Sequence, residues 1–211
     1  MTSTKEQVAA YLLQSKAVIL QPDAPFTWAS GWNSPIYCDN RVTLSYPHIR
    51  SYIKEAFVQT IREHFPETGV IAGVATGAIA QGALVAEAME LPFVYVRASA
   101  KEHGRKNLVE GRLEPGKPVL VIEDLVSTGG SSLKAVEALR SAGARVLGMV
   151  AIFSYGFPQS EEHFREAGIA LHTLSDYSHL IQKARESGYV SPSHLDILED
   201  WRENPSAWNP R

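Results

Sequence analysis

The 211 residues of the chain, 45% of them hydrophobic, are enough for one domain with a substantial core. The 20 Lys and Arg residues and 23 Asp and Glu residues give a formal net charge of −3, which excludes the global basic field of a typical nucleic-acid-binding protein. Cys38 is the only cysteine, so no intrachain disulfide can form. No apolar run approaches the ~20 residues of a membrane span, and the first residues lack the apolar core of a signal peptide. We expect one cytoplasmic domain over residues 1–211, with neither nucleic acid nor membrane as a partner.

The first third of the chain combines two helical patterns with an irregular segment. Residues 5–15 and 46–65 are predicted to be helices; in the second, apolar residues recur every four positions, at Ile49, Ile53, Phe57, Ile61 and Phe65. Between these helices, residues 26–41 are rich in aromatic residues, Ser, Gly and Pro, and contain one short β-like run, Ile36–Cys38. This composition predicts a small cap, contributed by residues 1–45, beside the main sheet.

From residue 70 onward, strand and helix patterns alternate. The predicted strands cover residues 70–74, 93–97, 119–123, 145–153 and 169–173, and the predicted helices cover 78–89, 132–142, 160–167 and 177–187. This alternation predicts an α/β domain with a parallel sheet and right-handed crossovers. Gly143 and Gly168 each follow a helix and are predicted to end it in the left-handed conformation. Residues 98–118 break the alternation, and a long irregular stretch in a compact domain is usually functional.

The segment V-L-V-I-E-D-L-V-S-T-G-G-S-S at residues 119–132 is the most informative part of the sequence. Its apolar residues followed by Glu123 and Asp124 indicate a buried parallel strand with acids at its carboxyl end, where α/β proteins bind ligands. The small residues Ser127–Ser131 then precede an amphipathic helix, so their N–H groups can surround an anion. A phosphorylated ribose suits both features, because carboxylates accept hydrogen bonds from vicinal hydroxyls. An ordinary strand-loop-helix joint is the alternative.

Two other segments carry anion-binding patterns. The strand at 70–74 runs into Ala75, Thr76 and Gly77 at a helix start, which is a turn where a diphosphate could lie or where small residues only permit close helix packing. Arg97 ends a strand and precedes a loop crowded with cations, at Lys101, His103, Arg105 and Lys106. Such a loop can close over an anionic ligand, although charge runs usually stay solvated.

One stretch only imitates a phosphate-binding motif. Residues 111–118, G-R-L-E-P-G-K-P, nearly match a Walker A loop. Pro118 replaces the Ser or Thr that would bind magnesium, and the stretch precedes a strand whereas a P-loop follows one. We interpret it as a turn.

Three of these segments together resemble a known enzyme family. The string at 119–132 resembles the phosphoribosyl diphosphate (PRPP) motif of type I phosphoribosyltransferases. Arg97-x-x-x-Lys101-x-His103-Gly104 resembles the mobile catalytic loop of orotate phosphoribosyltransferases, and F-T-W-A-S-G-W-N-S-P-I-Y at 26–37 is similar to the segment that caps the orotate pocket in that family. The segments occur in the family's order, and the resemblance covers about residues 5–187.

The resemblance implies a fold, a reaction and an assembly. The fold would be the type I phosphoribosyltransferase-like α/β fold, a parallel sheet flanked by helices with a small N-terminal cap, or hood. The reaction would transfer ribose 5-phosphate from PRPP to orotate, giving orotidine 5′-monophosphate and diphosphate in de novo UMP biosynthesis. Mg²⁺ would be the cofactor, without a metal site built from protein side chains alone. A homodimer would share its active sites, because the loop of one subunit serves the other.

The resemblance also assigns roles to individual residues. Lys101 and Asp124 would be catalytic, Ser127 would contact orotate, and Ala75, Thr76 and Gly77 would form the diphosphate loop. The implied PRPP-binding residues are Arg97, Lys101, His103, Glu123, Asp124, Leu125, Val126, Ser127, Thr128, Gly129, Gly130 and Ser131.

The sequence departs from the family pattern at positions that concern the base. Ala98 and Ala29 stand where many members carry a second base and a Lys, and residues 153–156, F-S-Y-G, stand where some members use an Arg for orotate. A phosphoribosyltransferase for another base is therefore one alternative. A non-catalytic PRPP-sensing regulator is another, although no helix-turn-helix extension or basic patch is evident.

Overall fold

The computed structural model describes residues 2–28, 30–99 and 108–210. The chain begins with helix α1 (Thr4–Gln14) and then forms two small antiparallel sheets. Strand β1 (Val18–Leu20) pairs with β4 (Ile36–Cys38), and β2 (Phe26–Thr27) pairs with β3 (Asn33–Ser34). These short strands, which we call the cap, lie outside the main sheet, and the predicted β-like run at Ile36–Cys38 is confirmed.

The main sheet has the order β10-β9-β8-β5-β6-β7. Its strands are β5 (Val70–Val74), β6 (Phe93–Val96), β7 (Val109–Glu110), β8 (Pro118–Val126), β9 (Arg145–Ser154) and β10 (Leu171–Asp176). All neighbouring pairs are parallel except β6 and β7. The predicted parallel sheet is confirmed, and the two-residue strand β7 adds an antiparallel edge that is too short to leave a periodic pattern.

Helices cover both faces of this sheet, as an apolar parallel sheet requires. The helices after α1 are α2 (Pro47–His64), α3 (Ile79–Met89), α4 (Gly130–Ser141), α5 (Pro158–Glu166), α6 (Tyr177–Glu186) and α7 (Pro192–Glu203), and a 3₁₀ helix spans Asn40–Ser45. One core joins α1, α2, α3, α6 and α7 to the sheet, and the opposite core joins α4 and α5. Gly143 and Gly168 have φ of +86° and +62°, so the predicted left-handed stops are confirmed.

One strand boundary and one additional helix differ from the predictions in ways that matter for the site. Strand β8 continues three residues beyond 123, because Leu125 and Val126 still pair with Phe153 and Ser154 of β9. Helix α7 has no predicted counterpart, although it contains the fully buried Trp201. In the described part of the chain, no helix is long and apolar enough to cross a membrane.

Candidate active site

Glu123 and Asp124 are neighbours on β8, the strand between β5 and β9. Glu123 points into the protein: it is 4% exposed, its Oε2 accepts a hydrogen bond from Ser132 Oγ at 2.8 Å, and its Oε1 accepts one from the Asp124 N–H at 2.9 Å. Burial, together with the charge of Asp124, raises the pKa of Glu123 well above its usual value. In this conformation both Glu123 oxygens are occupied, and its role as a direct ribose ligand stays a prediction.

The Asp124 carboxylate lies against the turn that follows β5. A methyl group at Gly77 would lie 2.1 Å from Asp124 Oδ2, so only glycine leaves space for this carboxylate. The turn, whose Ala75–Thr76 peptide is cis, is tied to the neighbouring strand because Ala75 N donates to Val96 O at 2.8 Å. The predicted diphosphate turn and the predicted ribose carboxylate are therefore brought together at one edge of the sheet.

The loop Ser127–Gly129 joins β8 to α4 and has the geometry of an anion cradle. Gly129 has a φ of +84°, the left-handed conformation that favours glycine. No side chain in the described part of the chain caps the N-terminus of α4, so the first backbone N–H groups are available to a ligand. Gly130 and Ser131 are exposed at this end. The Val126 side chain is fully buried in the core, so this residue can offer a ligand only its backbone.

Arg97 brings a positive charge to the same edge. Its Nη1 lies 3.5 Å from Glu110 Oε1, and the side chain is 30% exposed. It lines a cleft of about 740 Å³ together with Ala75 of the diphosphate turn and Ser131 of the cradle. Lys101 and His103, the other predicted loop residues, lie outside the described residues.

A smaller cavity of about 250 Å³ lies between the cap and the end of β8. Its walls are largely aromatic, with the Trp28 and Tyr155 ring centroids 5.1 Å apart, and it is lined by Thr27, Trp28, Tyr37, Cys38, Leu125, Ser127 and Tyr155. Aromatic walls suit a flat ring, and Ser127 adds a hydroxyl that can orient it. Leu125 and Ser127 of the sequence motif therefore face this second cavity, which we call the base cavity.

Two polar residues that the sequence analysis did not single out hold these parts together. Asn40, which is 2% exposed, donates from Nδ2 to the Asp124 carbonyl oxygen at 2.6 Å, so the chain segment after the cap is bonded to β8. His163 of α5 places Nδ1 2.9 Å from the Thr128 carbonyl oxygen. Neither residue stands in a recognisable motif, and only the fold brings each one to the site.

The fold and this site together define a phosphoribosyltransferase. The model of the phosphoribosyl transferase domain family matches residues 44–167, which span the diphosphate turn, Arg97 and the cradle. The fold expected from the resemblance, including the cap, is confirmed.

Similarity to individual proteins identifies the branch of this family to which the chain belongs. The orotate phosphoribosyltransferase of Porphyromonas gingivalis is 56% identical over 208 residues, and that of Streptococcus pneumoniae serotype 4 is 52% identical over 208 residues; both matches cover 99% of each chain. The crystal structure of orotate phosphoribosyltransferase from Aeropyrum pernix is similar with a TM-score of 0.76 at 27% identity, covering 87% of this chain and 99% of that one. The chain belongs to the orotate phosphoribosyltransferase family.

Proposed function

We propose that this protein transfers the ribose 5-phosphate group of PRPP to orotate, giving orotidine 5′-monophosphate and diphosphate in de novo UMP biosynthesis. The observation that carries the proposal is the shared position of Ser127. This residue begins the cradle at the N-terminus of α4 and also lines the base cavity. A phosphorylated sugar in the cradle would therefore present its reacting carbon beside a flat base in the aromatic cavity. The 56% identity to a named orotate phosphoribosyltransferase over 99% of each chain supports orotate as the base.

The chain's own residues would act mainly by positioning. The Ser127–Gly129 loop and the first N–H groups of α4 would hold the 5-phosphate, while Asp124 accepts hydrogen bonds from the ribose hydroxyls. The aromatic cap would keep the base in line with ribose C1 and exclude water as the bond to diphosphate breaks. No covalent nucleophile is required. The Cys38 thiol suits that reading, because burial, followed by the charges of Asp124 and Asp39, raises its pKa and keeps it protonated.

Mg²⁺ is the proposed cofactor, and the donor set at the site fits it. Mg²⁺ keeps much of its water and takes one or two carboxylates together with substrate phosphates. Asp124 offers such a carboxylate, and no described cation lies within ion-pair distance of it. Among the described residues no cluster of three or more His, Cys, Asp or Glu side chains could hold a metal ion alone. Bound Mg²⁺ would supply positive charge that offsets the charge on the departing diphosphate.

The cationic loop completes the proposal. Lys101 would supply positive charge at the leaving diphosphate, and Arg97 and His103 would help to bind it. Arg97 supports this assignment because it lines one cleft with Ala75 and Ser131. We propose that the loop serves the active site of a second copy in a homodimer, and that the enzyme acts in the cytoplasm, where a chain with Cys38 as its single cysteine needs no disulfide.

A base panel tests the reaction. Purified protein is mixed with Mg²⁺, PRPP and one base at a time, including orotate, uracil, adenine and hypoxanthine, and diphosphate release is measured. Orotate should support turnover far better than the other bases. Faster diphosphate release with another base would identify that base, and not orotate, as the substrate. PRPP binding without diphosphate release with any base would favour the non-catalytic regulator.

A hybrid dimer tests the shared site. If Lys101 of one subunit serves Asp124 of the other, mixed Lys101→Ala and Asp124→Ala subunits place both lesions in one site and leave the second intact. Random exchange should then restore roughly a quarter of wild-type activity. The subunits are exchanged by unfolding and refolding, and exchange is verified with mass-tagged chains. Verified hybrids with no more activity than the parent variants would contradict the shared site.

A further inference from the structure

The C-terminal helix α7 inserts one indole between the cap and the main sheet. Trp201 is fully buried, and its Nε1–H donates to the backbone carbonyl of Asn33 in the cap at 3.1 Å. This side-chain hydrogen bond links α7 directly to a strand of the cap. One end of the indole therefore fixes the backbone of β3.

The Trp201 ring also contacts two walls of the base cavity without lining the cavity itself. Its centroid lies 5.6 Å from that of Trp28 and 5.8 Å from that of Tyr155, both in edge-on orientations. Trp28 belongs to the cap and Tyr155 follows β9, so the two walls come from different elements, and their rings also contact each other with centroids 5.1 Å apart. Edge-on aromatic pairs stabilise the arrangement of the rings beyond the burial of their surfaces. Trp201 thus sets the place of both walls.

Helix α7 is itself attached to the main domain. Arg202 donates from Nη2 to the Gly156 carbonyl oxygen at 2.9 Å and from Nε to the Tyr155 carbonyl oxygen at 3.3 Å. The Tyr177 hydroxyl at the start of α6 donates to the Leu198 carbonyl oxygen at 2.9 Å. These bonds fix α7 to the residues after β9 and to α6, so the indole projects from a rigid base.

The β2–β3 part of the cap has little internal structure to hold its own position. Strands β2 and β3 have two residues each, and their pairing covers Phe26 with Ser34 and Thr27 with Asn33. An isolated two-stranded hairpin is at best marginally stable in water. The Trp28 Nε1–H also donates to the Ile36 carbonyl oxygen of β4 at 3.1 Å, so the contact with Trp201 adds to a bond within the cap in setting where Trp28 stands relative to Tyr155.

We propose that Trp201 is a positioning residue for base recognition, which acts through Trp28, Tyr155 and the Asn33 carbonyl to hold the aromatic walls of the base cavity in the positions that receive a flat ring. This inference rests on the proposed function, because it assigns that cavity to orotate. It predicts a separation between the substrates: loss of the indole weakens the use of orotate and leaves the use of PRPP nearly unchanged. Among the described residues, the hydrogen bond and ring contacts of Trp201 reach neither the cradle nor the diphosphate turn.

Two variants of graded severity test the proposal. Trp201→Phe keeps an aromatic ring and removes the N–H donor, and it should raise KM for orotate about fivefold, as loss of one hydrogen bond does. Trp201→Leu also removes the ring contacts and should raise it about thirtyfold or more. KM for PRPP should change less than about twofold in both. Trp208→Phe is the matched control, because Trp208 is near the same end of the chain and lines a separate groove with Pro22 and Asp196.

Hydrogen exchange supplies a readout that does not depend on turnover. Faster exchange confined to residues 26–38 in Trp201→Phe, with residues 119–132 unchanged, supports the positioning role. Equal rises in KM for both substrates, or uniform acceleration of exchange, would mean that Trp201 only stabilises the fold and would overturn the proposal. Wild-type protein that does not consume orotate would instead overturn the proposed function, while the exchange pattern would still decide the role of Trp201.

Discussion

The ribose-phosphate half of the site comes mainly from one unbroken stretch, the end of β8 and the start of α4, with the turn at Ala75–Gly77 beside it. The base half is assembled from the cap near the start of the chain, Tyr155 after β9 and Trp201 close to the end. The first half is held by backbone geometry at the edge of a buried sheet. The second is held by aromatic packing between segments that are distant in sequence.

This difference in construction implies a difference in tolerance. A helix N-terminus and a glycine turn offer fixed N–H groups, and small displacements there misplace the reacting atoms. An aromatic cage can adjust by small ring movements, because each of its contacts is individually weak. We therefore expect substitutions in the ribose-phosphate half to lower turnover sharply and substitutions in the base half to change mainly the affinity for the base.

The largest effect should come from one methyl group in the ribose-phosphate half. In Gly77→Ala, the new Cβ would lie 2.1 Å from Asp124 Oδ2, so the carboxylate or the turn must move. A displacement of this size should lower kcat/KM for PRPP by about 100-fold or more. Steady-state kinetics with orotate held saturating measures it.

Gly116→Ala is the control for that glycine. It adds the same methyl group at a φ of +80° with no heavy atom within 4 Å. It should lower the free energy of unfolding by about 1 kcal/mol, because the left-handed conformation disfavours alanine, and leave the use of PRPP unchanged. Near-normal turnover in Gly77→Ala would contradict the expectation that the ribose-phosphate half does not tolerate small displacements.

The next largest difference is expected between substitutions of the two adjacent acids, Asp124 and Glu123. Asp124→Asn should lower kcat/KM for PRPP about 10- to 100-fold with every accepted base, because hydrogen bonds to a charged group contribute roughly 1.5–3 kcal/mol. Glu123→Gln should cost less than about threefold, since the buried Glu123 already favours its neutral form and Gln can still accept from Ser132. A loss in Glu123→Gln as large as in Asp124→Asn would return Glu123 to the role of a direct ribose ligand.

The pH dependence of stability gives a second measure of Glu123. Because the folded pKa of Glu123 is raised, its contribution to stability is full below the unfolded pKa and is lost as pH rises through the folded pKa. Urea unfolding at pH values from the unfolded pKa of 4.5 to the folded pKa of about 8 should therefore show a decline in wild type that is smaller in Glu123→Gln.

A smaller and more selective effect is expected where the two halves meet. Ser127→Ala should raise KM for orotate about fivefold to tenfold, the effect of one lost hydrogen bond, and change KM for PRPP by less than about threefold. Thr128→Ala is the matched comparison, because Thr128 belongs to the same loop and does not line the base cavity; it should act on PRPP. Equal changes for both substrates in both variants would contradict the division of the site.

The smallest effect should appear outside both halves. His64 and His172 stack with ring centroids 4.1 Å apart, and burial, followed by the charge of His64, lowers the pKa of His172 against a smaller opposing influence of Glu63. The unfolded chain therefore takes up the proton first, and stability falls as pH drops below about 6.5. Because His172 is partly exposed, the loss should stay under about 0.5 kcal/mol. His172→Gln should abolish it without changing turnover, as measured by unfolding and kinetics across this range.

The same contrast explains which parts could be predicted from the sequence. The ribose-phosphate half follows from local rules, because a strand that ends in acids and a small-residue loop before a helix are contiguous patterns. Thus the residues around Asp124 and Gly129 were identified from the sequence, and only the end of β8 was misplaced, since pairing with β9 continues through Leu125 and Val126. The alternating strands likewise predicted the order of elements from residue 70 onward.

The base half depends on contacts that leave no local pattern. Asn40 reaches the Asp124 carbonyl only after the cap folds back on β8, and Trp201 reaches Asn33 across 168 positions of sequence. Helix α7 was not predicted, although Pro192 at its first turn is a typical start signal. The assignments of Lys101 and His103 remain predictions from the sequence, because both lie outside the described residues.

The aromatic cluster also makes the intrinsic tryptophan fluorescence of the protein more sensitive to one substrate than to the other. Of its four tryptophans, three lie together in the base half. The ring centroids of the stacked pair Trp28 and Trp32 lie 6.3 Å apart, and those of the edge-on pair Trp28 and Trp201 lie 5.6 Å apart. Excitation energy passes readily between indoles at such separations, so quenching of Trp28 by a bound ring should dim all three. Intrinsic emission would then register the arrival of the base directly, and the sugar phosphate only where it alters the cap.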